Sequence, residues 1–81
     1  MTTTERVNRL REYRDALVRP KVSRESLAHA AGITSKTYRN AEMDASIRYD
    51  TACAILKALN VLRKQRGMAE IGVENLGLNY Q

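Results

Sequence analysis

The sequence predicts an all-α fold, on three observations. Apolar residues recur at three- and four-residue spacing over Val7, Leu10, Tyr13 or Arg14, and Leu17. The same spacing returns over Tyr49, Ala52, Ile55 with Leu56, and Leu59. Between these stretches, Ser23 to Glu42 carries two helix-start signals separated by a glycine, the pattern of two short helices joined by a tight turn.

The elements follow in order. Met1 to Thr4 reads as a frayed end, with Thr4 placed to cap a first helix and Glu5 in its first turn. That helix is expected to run as far as Arg19-Pro20-Lys21, because proline lacks an amide donor and disfavours helix at the residue before it. Ser23 caps a second helix over Arg24 to Ala31, and Gly32 ends it, since glycine enters the left-handed conformation without steric cost. Thr34 caps a third helix over Ser35 to Glu42. Ala28 and Ala31 are small enough to let these two helices cross closely, and Leu27, Ile33 and Tyr38 form the apolar wedge beneath. Met43 to Arg48 is a loop. A fourth helix is expected from near Tyr49 to Gln65, stopping at Gly67. Cys53 on this helix reads as a small core hydrophobe and His29 as a solvent-facing residue.

The chain divides into residues 1–66 as the domain and 67–81 as a C-terminal tail. In the tail, Leu76, Leu78 and Tyr80 alternate with small or polar residues, and Gly72 and Gly77 argue against a long helix, so a short extended segment is expected. Ile71, Val73, Leu76, Leu78 and Tyr80 are too many apolar residues to leave in water. They either lie over the protein's own core or pair with a second subunit, and dimerisation is the slightly favoured use.

The run VSRESLAHAAGITSKTYRNAE resembles the helix-turn-helix of the XRE family, the Cro/C1-type DNA-binding domains of phage repressors and many bacterial regulators. The likeness rests on Val22-Ser23, Leu27-Ala28, Gly32-Ile33, Thr37 and Glu42. It extends upstream to LREYR (Leu10 to Arg14) and downstream to AILKALN (Ala54 to Asn60), covering Val7 to Val61. The sequence departs from the pattern in a longer loop holding Pro20, in Tyr38 and Ala41 at apolar positions usually of other sizes, and in Asp44 where a glycine is expected. The resemblance implies a five-helix lambda-repressor-like domain whose third helix enters the major groove. It places Ser35, Lys36, Arg39 and Asn40 where bases are read, with Arg24, Thr34, Thr37 and Arg48 against phosphates and Gly32 as the structural turn. The chemistry suits these places. Lysine and arginine donate to guanine O6 and N7, and asparagine pairs with both edges of adenine.

Composition narrows the function classes. At 81 residues the chain holds one modest core, and its single Cys53 and single histidine build neither an internal disulfide nor a zinc site. No cofactor is expected. With no paired acid and base and no glycine-rich phosphate loop, an enzyme is not expected either. The opening MTTTERVNRL lacks a signal peptide's apolar stretch, and no run is long enough to cross a membrane, so a cytoplasmic protein is expected. The formal charge of +5 favours a polyanionic partner. It concentrates in residues 1–23 (net +3) and 51–66 (net +4), with residues 24–50 balanced. The cations of RKQR (Arg63 to Arg66) either complement a helix C-terminus or touch phosphate. The expectation is therefore a small transcription regulator, a repressor binding double-stranded DNA as a homodimer on a palindromic operator. The alternative is a protein-interaction module, such as an antitoxin, that binds a partner protein through the tail.

Overall fold

The computed structural model describes residues 7–18 and 20–80. They hold five helices and no strand: α1 Leu10–Asp15, α2 Arg24–Ala31, α3 Ser35–Glu42, α4 Tyr49–Gln65 and α5 Val73–Leu76. The all-α expectation is met.

Helices α2 and α3 have the bounds and caps read from the sequence. The Ser23 hydroxyl accepts the Ser26 amide, and Thr34 accepts the Thr37 amide, each at 3.1 Å. Gly32 adopts φ 74°, and the amides of Gly32 and Ile33 close onto the carbonyls of His29 and Ala28. These bonds satisfy carbonyls that a helix end would otherwise leave bare. Asp44 repeats the arrangement after α3. It stands at φ 66°, with its amide on Ala41 and that of Ala45 on Asn40, so it occupies the left-handed place expected of a glycine. Gly67 ends α4 in the same way, its amide on Lys64 and that of Met68 on Arg63.

One core unites all five helices. Leu10 and Leu17 meet Leu27, Tyr38, Ile55 and Leu59 in it, all fully buried. Ala28 is buried at the α2–α3 crossing, while Ala31 and Ile33 pack half-buried at its edge.

Three expectations are corrected. The first helix is short, six residues rather than a run into the Arg19-Pro20 break, and its expected Thr4 cap lies outside the described residues. Arg9 stands at its start without a side-chain cap bond, and Asn8 before it accepts the Leu10 amide at 3.1 Å. The Arg9 amide is donated at 2.8 Å to Leu76 of the tail, and Val7 is left 52% exposed rather than on an apolar face. Tyr49 was expected inside, yet is 47% exposed, its ring tilted against Tyr80 at 5.1 Å between centroids.

The tail is the third correction. Leu76, expected in a short extended segment, lies in α5, while Leu78 and Tyr80 beyond it stay outside any helix, and Leu76 and Leu78 are buried beside the other helices. Asn60 fixes the tail's approach from both sides, donating to the Ile71 carbonyl at 3.0 Å and accepting the Ile71 amide at 2.9 Å. The fifth helix thus lies beyond residue 66, where the sequence division placed only an extension. Of the two uses open to the tail, Leu76 and Leu78 take the first, covering the protein's own core.

Candidate nucleic-acid interface

Helix α3 is held from beneath by one ionic cluster and one ring. The Glu42 carboxylate, its side chain 6% exposed, receives the Arg14 Nε at 2.6 Å and the Arg24 Nε at 3.3 Å. Arg14 comes from α1, Arg24 from the start of α2 and Glu42 from the end of α3, so one carboxylate ties three helices. The Arg14 side chain is itself 9% exposed. Burial alone would weaken its charge, but the hydrogen bond and opposite charge of Glu42 more than offset that and keep the guanidinium protonated. Beside it Tyr38 is fully buried, and its hydroxyl finds no hydrogen-bond partner. Burial, reinforced by the Glu42 carboxylate, raises the phenol well above its ordinary pKa and keeps it neutral.

With Tyr38 and Ala41 facing inward, helical geometry dictates what faces out. Lys36, Arg39, Asn40 and Met43 follow one another at i, i+3, i+4 and i+7, one stripe of the surface. All four are exposed, and so is Ser35 beside them. The structure therefore brings the four residues assigned to base reading onto one open face. Met43 is added to it, at 72% exposure, just past the helix end. Sequence reading passed over Met43 as the start of a loop, although its spacing from Lys36 and Asn40 carried the signal.

The residues assigned to phosphate are placed less uniformly. Thr34 is occupied, accepting the Thr37 amide and donating its hydroxyl proton to Thr37 Oγ1 at 2.9 Å. Thr37 is half-buried and keeps its own hydroxyl proton for another acceptor. Arg24 is exposed but spends its Nε on Glu42. Arg48 is exposed immediately before α4 and makes no side-chain capping bond there. Its neighbours are fixed: Ile47 is buried, and Tyr49 leans on Tyr80. The cations of RKQR serve the protein itself. Arg63 donates to the Ala69 carbonyl at 2.8 Å and lies over the Tyr13 ring, and Lys64 pairs with Glu70 at 2.9 Å. Arg66 donates to the carbonyls of Val18 and Pro20 at 3.2 and 2.6 Å.

Among the described residues no group of histidines, cysteines and carboxylates could hold a metal ion, and no helix is long and apolar enough to cross a membrane. Cys53 is half-buried on α4, and His29 is exposed. Comparison of the chain with protein-family models, curated proteins and solved structures returns no match, so what this surface does is read from its own geometry.

Proposed function

We propose that this chain is a small transcription regulator of lambda-repressor-like architecture that binds double-stranded DNA sequence-specifically, with α3 seated in the major groove. The observation that carries the reading is the outward stripe of α3. Lys36, Arg39 and Asn40 stand together on a face whose opposite side is anchored by Tyr38 and the Arg14–Glu42–Arg24 cluster. A base-reading helix needs both properties. Its donors must converge on one groove, and its backbone must not yield when they do.

In this reading Lys36 and Arg39 donate to guanine edges, Asn40 pairs with adenine, and Ser35 adds a short adaptable contact. Met43 offers an apolar surface suited to a thymine methyl. Arg48 and Thr37 reach phosphates, and Arg24 and Thr34 act chiefly by holding the two helices in register. One such helix spans too few base pairs for useful specificity, so the protein acts as a homodimer on a palindromic operator and represses by occupying it. The protein-interaction reading has less support, because Leu76 and Leu78 already spend their apolar surface in the protein's own core.

The test is selection of duplexes from a random pool. Enriched sequences with two half-sites related by a dyad, about 10 base pairs centre to centre, support the reading. Recovery of unenriched sequence from repeated rounds overturns it.

A further inference from the structure

The C-terminal segment grips the chain on both sides of Arg48. On one side, the Ile47 amide donates to the Asn79 carbonyl at 2.8 Å, and Ile47 forms an isolated parallel bridge with Tyr80. On the other, the Tyr49 ring packs on the Tyr80 ring with centroids 5.1 Å apart. A third tie reaches back along the loop, where Asn79 Nδ2 donates to the Asp44 carbonyl at 3.2 Å. The strap has a firm base of its own, since Leu76 and Leu78 just before it are buried in the core. The start of the loop between α3 and α4 is tied back to α3 by the Asp44 and Ala45 amides and to Asn8, whose Nδ2 donates to Asp44 Oδ1 at 3.3 Å, whereas Arg48 at its end lacks a side-chain cap bond into α4.

We propose that Asn79 and Tyr80 are positioning residues for DNA binding: they hold Arg48 at a set distance from the Lys36–Asn40 stripe, so that base and phosphate contacts form together. This rests on the DNA-binding reading above. The physical reason is entropic. A long cation on an unanchored loop must be ordered at the moment of binding, whereas one whose neighbours are already fixed loses less freedom on meeting phosphate. The tail then serves the DNA interface from within its own protomer.

The experiment compares the full chain with three variants, Arg48→Ala, Asn79→Ala/Tyr80→Ala, and their combination, and adds Tyr80→Phe as the conservative control. Binding to the selected duplex and to random duplex is followed across a salt series, alongside amide hydrogen exchange of the free proteins. Arg48→Ala is expected to weaken both duplexes roughly tenfold, the size of one lost charged hydrogen bond. Its plot of log affinity against log salt becomes shallower by about 0.9. The Asn79→Ala/Tyr80→Ala chain keeps the backbone bond to Ile47 but loses the Tyr49 ring contact and the Asn79 side-chain bond to Asp44. It should reproduce most of that loss, with faster exchange at Ile47 as the strap loosens but helix protection retained in α3 and α4. Adding Arg48→Ala to it should cost little more, and Tyr80→Phe should bind as the parent does, because the ring and not the hydroxyl makes the contact.

Losses that simply add in the combined variant overturn the proposal, and so does unchanged exchange at Ile47. So does an Asn79→Ala/Tyr80→Ala chain of parental affinity and salt slope. A parent chain that binds no duplex overturns the functional reading itself and removes the strap's role with it. A parent that binds DNA while the strap variants behave as it does overturns the strap alone.

Discussion

Lys36 and Asn40 differ from Arg48 in what their loss should do. In the proposed complex Lys36→Ala or Asn40→Ala removes a donor from the base edges, so each should cost about 1–3 kcal/mol on the preferred duplex. Random DNA should be bound nearly as before, so that competition between the two duplexes shows a relaxed preference. Equal weakening on both would return these side chains to the solvated surface. Tyr38 makes a different forecast, because its buried hydroxyl is unpartnered. Tyr38→Phe should leave stability unchanged or raise it by about 1 kcal/mol in urea unfolding at neutral pH. The two proteins should then diverge in alkali. The folded phenol has a raised pKa, while the unfolded one ionises near its ordinary value of 10. Above pH 10 the unfolded chain therefore binds fewer protons than the folded one, and stability falls as pH rises. The phenol's contribution is complete below that pH and lost above it. Tyr38→Phe should lack this part of the slope, and parallel alkaline profiles would contradict the placement of the ring.

Among the elements, α3 depends on partners distant in sequence. Removing Glu42 leaves the buried Arg14 with only the more exposed Asp15, at 3.8 Å, as counter-charge, so Glu42→Ala should cost up to about 3–5 kcal/mol by chemical unfolding. A cost under 1 kcal/mol would mean that the cluster is solvated. The glycines provide a second contrast. Gly32 and Gly77 both have positive φ, but a Cβ on Gly32 meets open space, whereas one on Gly77 would collide with the Val7 carbonyl. Gly32→Ala should therefore cost only the left-handed penalty of about 1–2 kcal/mol. Gly77→Ala should cost more in the same unfolding assay, because the segment joining the tail to α1 must shift. Helix α1 shows how such packing overrides local preference. Its apolar spacing was legible from Val7 to Leu17, but the tail meets Val7 and takes the Arg9 amide, so the helix starts at Leu10.

For the whole molecule, the charge of +5 has its consequence in salt. If about six to eight phosphates are neutralised in the complex, log affinity should fall against log salt with a slope of roughly −5 to −7. A slope near zero, measured by anisotropy over a salt series, would exclude this mode of binding. That charge is not spread evenly over the exposed surface. The cluster at Arg63 to Arg66 is spent on carbonyls, a ring and Glu70, whereas Lys36, Arg39 and Arg48 stand exposed, as do Arg9, Lys21 and Lys57 elsewhere on the surface.

The turn between α2 and α3, both of its caps and the outward stripe could be read from residue order alone. Each depends on groups within about one or two helical turns, where cap chemistry and the helical repeat leave few alternatives. The Arg14–Glu42–Arg24 cluster, the short α1, the exposure of Tyr49 and the fate of the tail were decided only by the tertiary structure. These join residues far apart in the chain, from Asn60 with Ile71 to Arg9 with Leu76, and apolar spacing says that Leu76 and Leu78 must be covered without saying by what. Which surface covers them depends on closing those loops against everything else the core must hold.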